Sequence, residues 1–290
     1  MDGGQASRTA VLVCQFRAAA DGRVAPGLFA DPVAAELLTG PERAVVDQVR
    51  AGAQPAKLGD RLAYELVQAG TEVIVPRTVA IDRAIVESVA DQLVILGAGL
   101  DARAWRLDGL AGTDVVEVDH PASQADKRQR LGDRAPLARS VRFAGIDFTT
   151  GSLDAALGSA GHDPARPTTW VWEGVVAYLR PAEVTRTLAV VSGRSAAGSR
   201  LVVNYEQANW ASRAGRLTLV TLHRLARGEH PMANEPRRSS YSAASMGEAL
   251  AAHGWRVADD RNLVEIGAAL AIPLTRRRHL EGSRVAVADR

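Results

Sequence analysis

The chain has 290 residues, with 35 Lys and Arg against 33 Asp and Glu and a formal charge of +2. So even a balance gives no reason to expect a polyanion such as nucleic acid as partner. The single cysteine, Cys14, excludes an internal disulfide and a cysteine metal site. No apolar stretch approaches the ~20 residues that span a bilayer, and MDGGQASR at the start lacks a charged-then-apolar signal pattern, so the expectation is a soluble cytoplasmic protein without a membrane partner.

Taken in order, residues 1–7 are small and polar and read as a frayed end. Helical spacing runs from Thr9 to Ala20, with Cys14 as a small packing residue. Asp31-Pro32 reads as an N-cap followed by proline at the first helical position, starting a helix Val33 to Leu38 that stops at Gly40-Pro41. Further helices are expected from about Glu42 to Arg50, from Lys57 to Gln68 with Gly70 as its end, and from Val79 to Ala90. The first 90 residues thus read as an all-helical section.

The pattern then changes. Leu93-Val94-Ile95-Leu96 is an unbroken apolar run suited to a strand buried on both faces of a parallel sheet. Gly97-Ala98-Gly99 follows at once, where glycine permits a sharp turn and close approach of a ligand to the main chain. A second strand, Asp114 to Val118, ends on Asp119. An acid about 20 residues beyond a glycine turn is where a doubly wound sheet binds ribose hydroxyls. Pro121 to Arg130 reads as a helix with Lys127 and Arg128 on its wet face. Strands Val141 to Ala144, Thr169 to Trp172 and Leu201 to Tyr205 alternate with helices Ser152 to Leu157 and Pro181 to Ser192. Such alternation implies crossover helices and parallel strands. The carboxyl ends of the strands carry Gly97, Asp119, Asp147, Glu173 and Tyr205. Residues 208–240 interrupt the pattern and read as a lid insertion over the site, or as a plain surface excursion. Ser242 to His253 is a helix ended by Gly254, and Trp255 to Ala258 and Ser283 to Ala288 are the last strands. Arg276-Arg277-Arg278-His279 reads as a solvated turn. The simplest division is a helical cap over 1–90 and a sheet core over 91–290.

A Gly-x-Gly turn alone is equally the mark of a strand-to-helix turn without a ligand. Here it lacks the third glycine of a dinucleotide fingerprint, where Arg103 stands, and has no Gly-Lys-Ser/Thr. A nucleoside without phosphates fits better than a pyrophosphate, and S-adenosylmethionine is the commonest such cofactor for this fold. No His, Asp or Glu cluster has metal-ligand spacing, so no metal is expected.

LVILGAGLDARAWRL followed by VVEVDHPASQADKR resembles the leucine carboxyl methyltransferase family. RTAVLVCQFRAAADG, LFADPVAAELL, VPRTVAIDRAI, IDF and WVWEGVVAYL match in the same order, so the resemblance covers roughly residues 8–206. It implies a class I S-adenosylmethionine-dependent O-methyltransferase with a Rossmann-like, doubly wound seven-stranded sheet whose last strand is antiparallel. Many relatives serve bacterial secondary metabolism, the tetracenomycin carboxyl methyltransferase type among them. The resemblance implies that Arg77 grips the cofactor carboxylate, a task suited to a planar fork, with Arg17 a looser match. Gly97, Ala98 and Gly99 would border the methionine portion. Asp119 would accept from the ribose hydroxyls, with His120 beside them. Asp147 would accept from the adenine amine while the Phe148 N–H meets a ring nitrogen, and Glu173 would lie near the ammonium and the acceptor mouth. Each has a plainer reading as a cap, turn or surface residue. Trp170 and Trp172 share one strand face and read as core.

Methyl transfer chiefly needs two reactants held in line and water excluded. A carboxylate acceptor is already anionic, whereas a phenol with pKa near ~10 wants a base. No catalytic residue is certain; His223, His230 and Tyr178 are the candidates. The expected activity is methylation of a carboxylate or hydroxyl on a small-molecule acceptor, a polyketide-like intermediate of antibiotic biosynthesis, yielding S-adenosylhomocysteine, by a monomer or homodimer. The rivals are a cofactor-binding relative with a different or lost activity, methylation of a protein or peptide carboxylate, and a nicotinamide-dependent oxidoreductase.

Overall fold

The computed structural model of the protein describes residues 7–88, 90–147, 151–208 and 237–290. Seven strands form one sheet in the order β3-β2-β1-β4-β5-β7-β6. They are β1 (Gln92–Leu96), β2 (Asp114–Asp119), β3 (Ser140–Gly145), β4 (Thr168–Trp172), β5 (Arg200–Glu206), β6 (Arg256–Asn262) and β7 (Ser283–Asp289). The first five run parallel, and β7 is antiparallel to both β5 and β6. Strand order reverses between β1 and β4, which is where open α/β sheets place ligands. The register aligns the site there. Leu96 sits opposite both Val118 and Trp172, and Asp119 sits opposite Gly145. The residues that follow these partners, Gly97, Asp119, Asp147 and Glu173, therefore emerge at one edge.

Period-two alternation divides the strands between two cores. Leu93, Ile95, Val115, Val171 and Val202 face the amino-terminal helices, with Leu12, Ile81 and Ala84 against them. Val94, Leu96, Val116, Trp170, Trp172, Leu201 and Val203 face the other way, toward Leu157, Leu188 and Leu250.

Helix α1 (Arg8–Ala20) is capped by Ser7, whose Oγ accepts from Ala10 N at 3.2 Å. Helix α2 (Gly40–Ala51) begins with a box in which Glu42 accepts from Thr39 N at 2.7 Å. The two helices expected on either side of Gly70 are one, α3 (Leu58–Val86), 29 residues long with Pro76 inside it. Gly70 is not its end but the crossing point with α1. A Cβ there would lie 2.3 Å from Phe16 Cδ1, so only glycine lets the helices approach this closely. Pro76 is held in the helix by tertiary packing, since Ile74, Val75 and Val79 form a core cluster with Phe29 and Ile272. The helix expected over 33–38 is a series of turns instead. Only six residues separate Pro32 from the Thr39 cap, too few to establish a repeating ladder.

Among the described residues the remaining α-helices are α4 (Arg103–Arg106), α5 (Pro121–Leu131), α6 (Leu153–Ser159), α7 (Pro181–Gly193), α8 (Ala243–Ala251), α9 (Leu263–Ala269) and α10 (Arg277–Leu280). β6 continues four residues beyond its expected end at 258, past an irregularity in its pairing between Val257 and Asp259. Most of the expected lid lies outside the described residues, but its end at 237–240 does not: Arg238 N donates to Ala177 O at 2.7 Å. Among the described residues no helix is long and apolar enough to cross a membrane.

Candidate active site

A cavity of about 460 Å³ opens at the carboxyl edges of β1, β2 and β4, within the range of small-molecule sites. Arg17 and Arg77 line it from α1 and α3, and Gly97, Ala98 and Gly99 form its floor. Asp119, His120, Asp147, Glu173 and Tyr178 complete the wall. Ten of the residues singled out from the sequence thus converge. Phe148, His223 and His230 lie outside the described residues. Tyr205 does not join them: its hydroxyl donates to Asp260 Oδ2 at 2.6 Å, away from the cavity.

The glycine turn is closed by its own hydrogen bonds. Gly97 N and Ala98 N both donate to Val118 O, at 2.8 and 3.1 Å. Gly99 N donates to Asp119 Oδ2 at 2.6 Å, and His120 N donates to Asp119 Oδ1 at 2.6 Å. Gly97 has φ 71° and Gly99 φ 48°, conformations that favour glycine. A Cβ on Gly97 would also lie 2.4 Å from Val175 Cγ2. Three successive N–H groups that would cradle a pyrophosphate are therefore engaged within the protein. Asp119 is oriented by two donors, and each of its oxygens keeps a lone pair for a ligand hydroxyl.

Glu173 is the centre of a buried ionic cluster. Its Oε1 accepts from Arg77 Nε at 2.8 Å and from Arg17 Nη2 at 3.1 Å. Its Oε2 lies 2.8 Å from Arg103 Nη1 and 3.3 Å from Arg17 Nη2. Burial would raise the pKa of this carboxyl, but Arg103, Arg77 and Arg17 hold it well below the usual carboxylate range. Arg103 also pairs with Asp101, and its Nε donates to Asp82 Oδ1 at 2.6 Å. Arg106 then bridges Asp82 and the buried Asp31, at 2.7 and 3.2 Å. Four guanidiniums thus face four carboxylates in this cluster.

Lys127 is a correction. Expected on the wet face of its helix, it is 1% exposed, and its ammonium lies 2.5 Å from Glu117 Oε2 and 2.6 Å from Asp101 O. The acid buried in the middle of β2 draws it inward, since an isolated buried carboxylate is costly. Burial still pushes Glu117 up to about 7, with Lys127 opposing the shift. Asp31, Asp82, Asp101, Arg103, Arg106, Glu117 and Lys127 were not read as part of a site from the sequence. Glu117 carried a usable signal, a charge inside a strand otherwise apolar on both faces.

His120 Nδ1 accepts from Ala122 N at 3.2 Å, as the N-cap of α5. That bond assigns the proton to Nε2 and occupies the lone pair a base would use.

The sheet order with a terminal antiparallel pair and the cleft at its switch point define the fold of class I S-adenosylmethionine-dependent methyltransferases. A crystal structure of a DUF574-family protein from Streptomyces avermitilis aligns over 98% of both chains, with TM-score 0.61 and 14% identity. A Thermobifida fusca protein, provisionally titled a methyltransferase, aligns over 88% of this chain and 92% of its own with TM-score 0.55 and 15% identity. The leucine carboxyl methyltransferase family model matches residues 10–192, and the chain belongs to that family. A Frankia alni protein provisionally named an S-adenosyl-L-methionine-dependent methyltransferase is 34% identical over 196 residues, 67% of this chain and 66% of that one. The chain spans about half to two thirds of the length of such curated relatives.

Proposed function

We propose that the protein is an S-adenosylmethionine-dependent O-methyltransferase acting on a carboxylate or hydroxyl of a small molecule, a natural-product intermediate. One observation carries the cofactor part of this reading: the N–H groups of the glycine turn are taken by Val118 O and Asp119, while Asp119 stays open to hydroxyl donors. A ribose without a pyrophosphate suits that arrangement, and a dinucleotide does not.

The donor set fits the rest of the cofactor. Among the described residues Arg17 Nε has no hydrogen-bond partner, and the hydrogen bond from Arg77 uses Nε. Both keep N–H groups for a carboxylate. Asp119 would hold the ribose, and Asp147 would hold the adenine. The cofactor, when bound, supplies an activated methyl group on a sulfonium. The protein's part is to hold the acceptor in line and exclude water. The His120 lone pair is occupied, and a carboxylate acceptor, anionic without any base, would need none. The names of the relatives support the cofactor class.

Titration calorimetry tests the reading. S-adenosylhomocysteine is expected to bind one to one, and NADH to give no saturable heat. Tight NADH binding, or none by S-adenosylhomocysteine, would sink it. Methyl transfer is then sought with radiolabelled cofactor across aromatic acids and their neutral amides.

A further inference from the structure

The geometry points to Arg103 as a positioning residue of the cofactor socket: it fixes Glu173 and, through Glu173, aims Arg17 and Arg77 at the ligand, without itself reaching the cavity. This rests on the reading above.

Arg103 is 0% exposed and does not line the cavity. It is fastened from three segments of chain. Its Nε reaches Asp82 on α3 at 2.6 Å. Its backbone N–H donates to Asp101 Oδ1 at 2.8 Å, while Nη1 pairs with the other oxygen of Asp101. The same Nη1 lies 2.8 Å from Glu173 Oε2. Asp82 is fixed in turn by Arg106 at 2.7 Å, so the guanidinium has little freedom.

Glu173 depends on this anchor. Arg17 and Arg77 both meet it at Oε1, at 3.1 and 2.8 Å, and at Oε2 Arg103 Nη1, at 2.8 Å, lies nearer than Arg17 Nη2, at 3.3 Å. A glutamate's last torsion is broad and roughly two-fold. Without Arg103 the contact left at Oε2 among the described residues is the longer one from Arg17, at 3.3 Å, so the carboxylate can turn and the two arginines that lean on it lose their direction. Burial alone would favour the protonated acid, and Arg103 is the largest influence opposing that, ahead of Arg77 and Arg17. Nε meets Asp82, while Nη1 meets both Asp101 and Glu173. A planar fork can meet them together, and a lysine's point charge cannot.

Stability alone is a poor explanation for Arg103. Its Nη2 is buried with no hydrogen-bond partner among the described residues, which costs free energy, and replacing a buried ion pair by apolar side chains of similar size is often neutral or stabilising. Its other N–H groups converge on carboxylates, two of which, Asp101 and Glu173, form part of the cavity wall.

The experiment is a double-mutant cycle on the full chain, read as S-adenosylhomocysteine affinity by calorimetry, with Arg103→Lys, Arg103→Met and Glu173→Gln alone and combined. If Arg103→Met fails to fold, Arg103→Lys carries the cycle. Each Arg103 variant is expected to weaken binding by about 10- to 100-fold, with lysine the milder. In the Glu173→Gln background the same changes are expected to have little further effect, because the arginine acts through that carboxylate. An Arg103 variant that binds like wild type, or loses as much affinity in the Glu173→Gln background as alone, overturns the proposal and leaves the cofactor reading intact. A wild-type protein that does not bind S-adenosylhomocysteine overturns both.

Discussion

The two faces of the sheet satisfy their buried polar groups differently. On the face covered by α7 and α8, Trp170 donates its indole N–H to Ser195 Oγ and Trp255 donates to Ser192 Oγ, each at 2.8 Å, and the surroundings are apolar. These are bonds between neutral groups inside a packed layer. On the face covered by α1 and α3, eight charged groups from α1, α3, α4 and three loops form the cluster around Glu173 and Arg103, and Lys127 pairs with Glu117 beside it. The first arrangement suits a layer whose task is cohesion. The second places costly charges where a charged ligand can use them.

If that division is right, stability and ligand affinity should separate by face. The largest effect is expected from Trp170→Ala, which empties a fully buried site and should cost about 3–5 kcal/mol in urea unfolding. The folded fraction should still bind S-adenosylhomocysteine as wild type does. A parallel loss of affinity would break the comparison. Asp119→Ala should do the reverse, weakening S-adenosylhomocysteine binding by about 1.5–3 kcal/mol, the worth of a charge-assisted hydrogen bond. Unchanged affinity by calorimetry would remove Asp119 from the ribose role.

A pH series sharpens the contrast within the charged face. Glu117 has its folded-state pKa raised, to about 7, by burial. Protonation is therefore favoured more in the folded state than in the unfolded one. Its contribution to stability is complete below the ordinary carboxylate pKa and is lost as pH rises to about 7. Glu173 and Asp101, both held low by Arg103 and its neighbours against the effect of burial, act in the opposite sense. Their contribution is present above the ordinary pKa and lost as pH falls. Glu117→Gln should remove a decline on the order of 1 kcal/mol between about pH 5 and 7.5. An unaltered pH profile of unfolding would show that Lys127 keeps the acid ionised throughout. The smallest effect is expected from Arg61→Ala, which breaks the exposed Arg61–Glu65 pair on α3. It should cost about 0.3–0.5 kcal/mol and leave affinity alone; a larger change would mean that α3 transmits surface events to Arg77.

The strands and the edge they share were legible because each rests on a local pattern: a short apolar run, a glycine turn, an acid at the next strand's tip. Residue-by-residue matching to a family then placed Arg17, Arg77 and Glu173 beside them. What the sequence hid was settled by partners far along the chain. Gly70 reads as a helix end until Phe16 packs against it, and the cluster around Ile74 keeps α3 whole through Pro76. Lys127 reads as solvent-facing until Glu117 is seen beneath it. Asp31 reads only as a cap, Asp82 and Arg106 carry no signal in their own segments, and the three meet only after folding.

The crossing of α1 over α3 reaches further than helix packing. The ring of Phe16 fills the space a side chain on residue 70 would take, and the very next residue is Arg17, which lines the cavity. An absent methyl group on one helix thus serves as the gauge block that sets the depth of a cation on another. Enlarging residue 70 would lift that cation outward with its helix, so an alteration with no polar atom and no place in the cavity wall would present itself as a defect in ligand capture.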